Sequence, residues 1–527
     1  MRERAAHSSA VLALLVFLVL SALGTVAPQA QTLRAGISTA ATTPDPHVLD
    51  NGGNNTLYSN IYERLTRLDE RQRVTPGLAT SWRTIDDRTW EFELRQGVRF
   101  HNGAAFTADD VVASIARVRR MTTSPAPYVQ FVRPIAAVEA IAPHRLRIRT
   151  AAPFPLLPVH LALISIIPRA NADADTPAFN SLAAAIGTGP YRLVRWVPDE
   201  GVELVRNDAW WGARPVWERV ILRRIPRDTM RTAALLAGDV DIIDQVLPAD
   251  AEQLAARGGF VVHRAVSGRL MYIHLDSARE RTPFAAGLDG APIANPLRDV
   301  RVRRALSLAI DRHAIAQRLF GGLAVPTAGV VPQSFFGAID DPAPTVDPAE
   351  ARRLLAEAGL PDGFALQLNG PNDRYPMDEQ VMQTVAAMWA RIGVRTRVEA
   401  QPAAVSLARA SRLELSAYLY GNSSTTGEPM NTLRALLGTY DPQRGTGAAN
   451  RGRYSNPELD AMIARAEVTL DDEERARILA DATRLAMRDV GMIVLYHLTN
   501  TWASRRGIVA EPRADEQFRA ADIRLAP

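Results

Sequence analysis

A histidine and two adjacent aspartates lie close together in the stretch "TWEFELRQGVRFHNGAAFTADDVVAS", residues 89–114. Histidine and carboxylate side chains are common general acids and bases, so His101, Asp109 and Asp110 are candidates for acid–base chemistry. His101, however, lies beside an Asn-Gly turn signal and has no second histidine at metal-ligand spacing. This pattern favours a structural role for the histidine.

The elements around these residues account for the two acids. Hydrophobic and charged residues alternate from Trp90 to Leu94, which predicts a strand with one buried face. Asp110 follows Thr107 by three residues, directly before two valines, which is the pattern of a capping box at a helix start. Asp109 adds a favourable charge to the same first turn. We therefore interpret the stretch as a folding signature rather than a catalytic site.

Other catalytic signatures are absent from the sequence. It has no cysteine, no G-x-S-x-G nucleophile motif and no H-E-x-x-H zinc motif. All 61 basic residues are arginine, so no lysine is available for a Schiff base or a phosphate-binding loop. The nine histidines are dispersed, and His497 is a lone candidate metal ligand. We expect no enzyme activity, metal or cofactor, and a secreted hydrolase with a scattered triad is the less favoured alternative.

The first 31 residues have the pattern of a secretory signal peptide. Two arginines precede an apolar run at residues 11–23, which is too short to span a bilayer and is followed by small residues. Cleavage after Ala30 and cleavage after Gly24 both remain open. Without cysteine, the exported protein cannot carry a lipid on an N-terminal cysteine. The net charge is only +4. We expect a soluble periplasmic protein that binds no nucleic acid.

Length and patterning predict mixed α/β lobes. The chain has 527 residues, 47% of them hydrophobic, and exceeds the size at which a single core stops growing. Strand and helix patterns alternate irregularly along it, which argues against a barrel or a solenoid. Asp299, Asp311 and Asp471 each precede a helical pattern and are predicted to cap it.

A series of sequence blocks resembles, in order, the family 5 extracellular solute-binding proteins, which are receptors of ABC importers for peptides, nickel, opines and glutathione. The stretch from residue 78 to 114 resembles the family's signature. The other blocks are "NIYERL" at 60–65, "GTGPYRLVRW" at 187–196, "NDAWWG" at 207–212, "GDVDII" at 238–243, "NPLRDVRVRRALSLAIDRHAI" at 295–315, "DPAEARRLLAEAGLPDGF" at 347–364 and "RYSNPELDAMI" at 453–463. The resemblance covers the chain from about residue 30 nearly to its end.

The resemblance implies an α/β, two-lobed periplasmic-binding-protein fold of type II with an extra inserted domain. Mixed sheets flanked by helices would enclose a ligand cleft between the lobes. The implied segments are a discontinuous first-lobe core at 32–62, 186–270 and 500–527, an inserted domain at 63–185, and a second lobe at 271–499. Crossings near Ser267 and Asn500 would serve as a hinge.

The resemblance also implies ligand-binding residues. Arg374 precedes Tyr375 in "GPNDRYPMDEQV", at the position where related peptide receptors hold the ligand's α-carboxylate, and a guanidinium can take a carboxylate through two parallel hydrogen bonds. Those receptors carry an aspartate for the ligand's ammonium in a segment that here reads "YLYGNSSTTGEPMNTL", residues 418–433, where hydroxyl groups occupy its place and Glu428 matches a later, structural acid. The expected ligand-binding residues are Arg374, Tyr375, Tyr420, Asn422, Ser423, Ser424 and Thr425, together with Asn54, Asn55, Tyr58 and Tyr128 of the first lobe.

The function implied by this resemblance is capture of a small ligand for import. We expect a monomeric periplasmic receptor that binds a peptide or peptide-like ligand, of glutathione type or a modified amino acid. It would deliver this ligand to the membrane permease subunits of an ABC importer. A receptor for a nickel, haem or opine-type ligand is the alternative within the family.

Overall fold

The computed structural model describes residues 31–124 and 126–527. The predicted signal peptide therefore lies outside the described residues, apart from Gln31. The strands are β1 Thr32–Ile37, β2 Thr66–Leu68, β3 Val74–Pro76, β4 Ala79–Thr84, β5 Thr89–Leu94, β6 Ile135–Ala142, β7 Arg145–Thr150, β8 Tyr191–Val197, β9 Gly201–Arg206, β10 Arg219–Arg224, β11 Ile242–Ile243, β12 Phe260–Leu275, β13 Ala285–Ala286, β14 Ala324–Pro326, β15 Phe364–Pro371, β16 Val394–Gln401, β17 Ala417–Ser423, β18 Ile493–Arg505, β19 Ile508–Val509 and β20 Arg524–Leu525.

The helices are distributed along the whole described chain. They are α1 Gly52–Ile61, α2 Ala108–Arg120, α3 Val129–Val132, α4 Leu157–Leu161, α5 Thr176–Asn180, α6 Asp228–Ala237, α7 Pro248–Arg257, α8 Val300–Leu308, α9 Arg312–Phe320, α10 Pro348–Glu357, α11 Asp378–Ala390, α12 Ala403–Ser411, α13 Met430–Thr432, α14 Pro457–Val468 and α15 Asp472–Arg488. Within the described residues, none of these helices is long and apolar enough to cross a membrane.

One large mixed sheet runs through the molecule. Its strand order is β13-β15-β17-β12-β18-β11-β1-β10-β9-β8, with β14 added beside β18 and β16 beside β15. Parallel pairs join β1 to β10 and β11, and β15 to β16 and β17. A separate antiparallel sheet of order β4-β5-β7-β6 carries the predicted strand of residues 89–94. The mixed α/β prediction is confirmed.

The two longest strands, β12 and β18, pair antiparallel in the middle of the large sheet. Their register runs from Phe260 opposite Arg505 to Ile273 opposite Ile493, and it shifts between Val266 and Leu270. This shift is a β-bulge, which leaves residues 267–269 without partners in β18. The bulge is fixed from both sides, since the Gly268 amide donates to the Ala514 carbonyl at 3.0 Å and the Ser424 amide donates to the Gly268 carbonyl at 3.2 Å.

The three largest buried clusters of the described residues form the cores. One packs the small sheet and α2 against β1, β9, β10 and C-terminal residues such as Trp502 and Phe518. A second packs α8, α9 and α11 against β12 and β15 to β18, and a third packs α14 and α15 against Leu270 and Tyr272 of β12. Several cores agree with the expectation of more than one lobe for a chain of this length. The domain boundaries given above stay a prediction.

The local structural predictions are confirmed at the opening stretch. α2 begins after Thr107 with a capping box, in which the Asp110 carboxylate accepts hydrogen bonds from the Thr107 amide at 2.8 Å and from its hydroxyl at 3.3 Å. His101 Nε2 donates to the Gly189 carbonyl at 3.1 Å, and its Nδ1 accepts from the Gly187 amide at 3.3 Å. Burial lowers the pKa of His101 to about 4, so the ring is a neutral link between two turns.

The three predicted aspartate caps are also present. The side chains of Asp299, Asp311 and Asp471 accept hydrogen bonds from backbone amides at the starts of α8, α9 and α15. In α8 and the turn after it, the predicted apolar residues are buried, namely Val302, Leu306, Ala309 and Ile310. Each cap satisfies an amide that has no partner within its own helix.

Replacing Thr107 by alanine should lower the free energy of unfolding by about 1 kcal/mol, because the helix loses its N-cap side chain. Urea denaturation measures this change. Asp109→Asn is the matched control, since the Asp109 side chain is 57% exposed and its ion pair with Arg169 is long, at 3.4 Å. We expect that variant to stay within about 0.5 kcal/mol of the wild type. An equal loss in the two variants would contradict the capping role.

Stability should fall in acid because buried histidines are neutral in the fold. His160 Nδ1 donates to the Phe131 carbonyl at 3.0 Å, and burial lowers the pKa of His160 from 6.5 to about 4. The unfolded chain takes up the proton first, so this contribution is present above pH 6.5 and is lost as the pH falls towards 4. Each such histidine contributes a slope of about 1.4 kcal/mol per pH unit in that window.

The variant His160→Gln isolates this effect, since an amide can still donate to the Phe131 carbonyl but does not titrate between pH 4 and 6.5. Urea denaturation at several pH values across this window gives the slope of the unfolding free energy against pH. This slope should be smaller in the variant by about 1.4 kcal/mol per pH unit, the contribution of one proton. Identical pH profiles for variant and wild type would show that His160 is not responsible.

Candidate ligand-binding cleft

A cavity of about 360 Å³ opens beside the middle of β12 and β18. Its walls come from distant parts of the chain, with contributions from residues 37–39, 244–248, 374–376 and 498–501 and from single residues of the β12 bulge and the C-terminal segment. Ser267 and Asn500, the residues predicted to mark the hinge, both line it. The cavity therefore lies where the two long strands carry the chain from one core to the next.

Arg374 and Tyr375 lie in the loop between β15 and α11 and line this cavity. The Asp378 carboxylate accepts hydrogen bonds from the amides of Arg374 at 3.2 Å and Tyr375 at 3.1 Å, and the Tyr375 hydroxyl donates to the Gly421 carbonyl at 3.1 Å. A Cβ on Gly421 would lie 2.9 Å from the Tyr375 ring, so glycine is needed for this close approach. The loop backbone is thus fixed while the Arg374 side chain stays exposed.

The Arg374 guanidinium has no acidic partner. In the described residues no carboxylate lies within ion-pairing distance of it, and its Cζ lies 5.9 Å from the centroid of the Tyr375 ring. Its five N–H donors are available to a group that enters the cavity. This sets Arg374 apart from the other arginine that lines the cavity.

The predicted segment around Tyr420 is the end of β17, next to this loop. The Tyr420 and Tyr375 rings meet edge to face with centroids 5.7 Å apart. Ser423 pairs with Arg269 in the β12–β17 register, and Asn422 donates to the Thr432 hydroxyl at 3.1 Å. The structure therefore places Tyr420 against Tyr375 and Ser423 opposite Arg269, and none of Tyr420, Asn422 and Ser423 is among the residues that line the cavity.

Residues further along this segment have other partners. Ser424 is buried and its hydroxyl donates to the Glu428 carbonyl at 3.0 Å, whereas Thr425 is exposed. Glu428 forms a fully buried ion pair with Arg475, with both carboxylate oxygens 2.6 Å from one guanidinium nitrogen. The structural interpretation of Glu428 is therefore confirmed, since this carboxylate holds α15 in place and cannot reach a ligand.

The first-lobe candidates bond to one another and to nearby backbone. Asn54 is buried and accepts from the Thr42 amide at 2.7 Å. The Tyr58 hydroxyl donates to the Asp45 carbonyl at 2.6 Å, and the Tyr128 hydroxyl donates to the Asn55 side chain. These four residues do not line the cavity, to which the same helix contributes Gly52 and Thr56.

Sequence reasoning missed an ion pair in the cavity wall. Arg269, from the β12 bulge, meets the Glu516 carboxylate through Nε at 3.1 Å and Nη2 at 2.9 Å, and the Ser267 hydroxyl donates to the same carboxylate at 2.8 Å. Burial alone would lower the pKa of Arg269, but the charge of Glu516 raises it above the ordinary value. The pKa of Glu516 is correspondingly lowered by Arg269 despite burial. Both groups are therefore ionised at neutral pH.

A second acidic group lies on another wall of the cavity. The Asp244 carboxylate accepts from the Ser38 amide and hydroxyl, each at 2.9 Å, and lies 3.2 Å from Nε of Arg231. Arg231 is fully buried and also pairs with Asp228. Burial raises the pKa of Asp244 in spite of Arg231. These contacts fix the carboxylate where β11 ends.

The sequence contained only faint signals for these residues. Arg269 and Glu516 lie 247 positions apart, so no local spacing connects them. Ser267 appeared only as a hinge position, and the family-like block at 238–243 ends one residue before Asp244. The bulge that unites Arg269 with Glu516 depends on strand register, which one strand's own sequence does not specify.

Metal ligands are not gathered in the part of the chain that the structure describes. No three histidine, aspartate or glutamate side chains among those residues are placed to hold a metal ion. His497 lies in β18 and is buried, and burial lowers its pKa to about 4.

The comparisons with known proteins agree with this architecture. The family model described as bacterial extracellular solute-binding proteins, family 5 middle, matches residues 73–443. Heme-binding protein A of Haemophilus influenzae is 28% identical over 483 residues, covering 85% of this chain and 84% of that protein. Glutathione-binding protein GsiB of Salmonella typhimurium is 28% identical over 470 residues, covering 86% of each.

Solved structures share the fold. HbpA2 from Haemophilus parasuis has a TM-score of 0.81 at 24% identity, covering 94% of this chain and 100% of that one. The unliganded open form of MppA, a periplasmic murein tripeptide binding protein, has a TM-score of 0.77 at 22% identity, covering 94% and 98%. The predicted two-lobed periplasmic-binding-protein fold is confirmed. The chain belongs to the bacterial extracellular solute-binding proteins of family 5.

Proposed function

We propose that the protein is a periplasmic receptor of an ABC importer, which captures a peptide or peptide-like ligand through a free carboxylate bound by Arg374. The observation that carries this proposal is the exposed Arg374 guanidinium, which lines the cavity and has no acidic partner in the part of the chain that the structure describes. A carboxylate forms two parallel hydrogen bonds with a guanidinium, so this residue would fix the ligand's orientation as well as its charge.

The surroundings of Arg374 suit a ligand with a peptide-like body. Apolar side chains such as Phe320, Leu323 and Leu498 line the same cavity, and Asn500 and Ser38 add neutral polar residues. Binding sites for small molecules combine an apolar surface with a few placed polar groups. Tyr420, which packs against Tyr375, and Ser423, which lies opposite Arg269, would contact a longer ligand.

Closure of two lobes would complete the site. The lobes proposed are those predicted from the resemblance, with residues 271–499 forming the second. A ligand that contacts both lobes favours the closed state only through its differential affinity for the two states. The closed, liganded form would then dock on the importer's permease subunits as a monomer.

The relatives are named for different ligands, so several ligand classes must be compared for this protein. They include a heme-binding and a glutathione-binding protein. The absence of a three-ligand cluster among the described residues favours a peptide-like ligand over a bare metal ion. A thermal-shift screen over peptides, glutathione, opines, haem and nickel complexes would rank these classes, because at equal concentration a ligand with a lower dissociation constant stabilises the folded state more.

Removing the guanidinium should abolish most of the binding. Arg374→Ala leaves a ligand carboxylate unpaired in the closed cleft, which should cost about 2 to 5 kcal/mol of binding free energy. Calorimetric titration with the tightest ligand of the screen, and with its C-terminal amide, measures this cost. The amide should bind the wild type weakly and should bind the variant about as well as the acid does.

Arg397→Ala is the matched control, since Arg397 is an exposed arginine in β16 that does not line the cavity. We expect this variant to bind with wild-type affinity. Full affinity in Arg374→Ala, or equal binding of acid and amide to the wild type, would refute the carboxylate anchor.

Export should shorten the protein at its N-terminus. The sequence pattern of residues 1–31 supports cleavage by a signal peptidase, which would remove about 24 to 30 residues. Intact-mass measurement of the protein from an osmotic-shock fraction should show this loss. Full-length protein confined to the cytoplasm would be incompatible with a periplasmic receptor.

A further inference from the structure

The Arg269–Glu516 pair leaves part of its hydrogen-bonding capacity unused. Glu516 Oε1 accepts from Arg269 Nε and from the Ser267 hydroxyl, while Oε2 accepts from Arg269 Nη2 alone. A carboxylate offers about four acceptor sites, two on each oxygen, so one on Oε2 remains free. The side chain of Glu516 is 28% exposed and lines the cavity, so this acceptor is accessible from it.

Arg269 likewise uses only some of its hydrogen-bond donors in the pair with Glu516. Its Nε and Nη2 atoms face Glu516, and among the described residues its Nη1 group has no hydrogen-bond partner. A guanidinium has two edges that each suit a carboxylate, and here the edge formed by Nη1 and Nη2 is open. The pair thus offers a cationic donor edge and an anionic acceptor next to each other.

Arg374 places a second cation close to this pair. The Cζ atoms of Arg269 and Arg374 each lie 5.9 Å from the centroid of the same Tyr375 ring. Three charges therefore line one part of the cavity, in which Glu516 neutralises Arg269 and Arg374 is left unpaired. A complementary ligand carries an adjacent ammonium and carboxylate for the pair and a separate carboxylate for Arg374.

The backbone holds Glu516 in this position. Its φ angle is 63°, in the left-handed region that non-glycine residues rarely adopt. The preceding Arg513 is buried and donates to the Leu68 and Asp69 carbonyls at 2.8 and 3.0 Å, and the Ala514 carbonyl accepts from the bulge amide of Gly268. The C-terminal segment is thereby fixed at Arg513 and Ala514, directly before Glu516. These contacts preorganise the Glu516 carboxylate for binding.

We propose that the Arg269–Glu516 pair is a binding site for an α-amino-acid head group, in which Glu516 accepts the ligand's ammonium and the open edge of Arg269 donates to the adjacent carboxylate. This inference rests on the proposed function and narrows its ligand class. In an ordinary α-linked peptide the free ammonium and the α-carboxylate belong to different residues. A γ-linked glutamyl peptide, or an amino-acid conjugate with a free head group, carries both on one carbon and has a further carboxylate for Arg374.

Two isomeric tripeptides test this inference directly. Glutathione is γ-linked and has the complete head group, whereas the α-linked Glu-Cys-Gly isomer has the same composition and net charge without it. Calorimetric titration of the wild type should give an affinity for glutathione about 10- to 100-fold higher than for the isomer, as expected for losing a hydrogen bond to a charged group. This comparison needs no variant.

Glu516→Gln tests the ammonium contact. The amide keeps the size of the side chain but loses the charge that attracts an ammonium, so glutathione should bind about 10- to 100-fold more weakly than it binds the wild type. Glu511→Gln, at an exposed position in the same C-terminal segment, is the matched control and should bind both peptides as the wild type does.

The outcomes separate this inference from the proposed function. Equal affinities of the wild type for the two isomers, or a Glu516→Gln variant that binds glutathione as tightly as the wild type does, would overturn the head-group site. If Arg374→Ala still weakens binding in that case, the carboxylate anchor stands. Binding of neither peptide, together with a screen in which no carboxylate ligand binds, would overturn both.

Discussion

Pairing between β12 and β18 determines the geometry on which the cleft depends. The two strands run antiparallel through the middle of the large sheet, and their register shifts at residues 267–269. A regular ladder would leave this backbone bonded within the sheet, whereas the bulge makes it bond to the C-terminal segment and to the loop after β17. Bulges redirect side chains in this way next to functional sites. Arg269, Glu516 and the Tyr375 loop meet because of this irregularity.

The partners of the arginines distinguish structural positions from the position proposed to bind the ligand. In a chain without lysine, guanidinium groups carry every side-chain cation apart from histidine. Arg117 with Asp45 and Arg475 with Glu428 are buried ion pairs, and removing one partner from such a pair would leave an uncompensated charge in the interior. Arg374 differs from these because it is exposed, lines the cavity and has no acidic partner among the described residues. A cleft cation without an internal partner suits an anionic ligand.

Sequence reasoning predicted elements better than it predicted contacts. The Thr107–Asp110 capping box and the aspartate caps depend on residues three or four positions apart, so local spacing was enough to find them. The Arg374 and Tyr375 pair was found because its loop resembles a known pattern, and both residues line the cavity. Glu516 was missed because its partner is 247 residues away and the strand register that joins them is a property of the folded sheet.

A crystal structure of the protein with the tightest ligand of the screen tests the proposed carboxylate anchor most directly. If Arg374 binds the ligand, the structure should show closed lobes with the ligand in the cavity beside β12 and β18. An oxygen of the ligand's carboxylate should lie about 2.7 to 2.9 Å from a nitrogen of Arg374, the usual length of a charge-assisted hydrogen bond. A ligand bound elsewhere, or one bound in this cavity while the Arg374 guanidinium still faces solvent, would contradict this anchor.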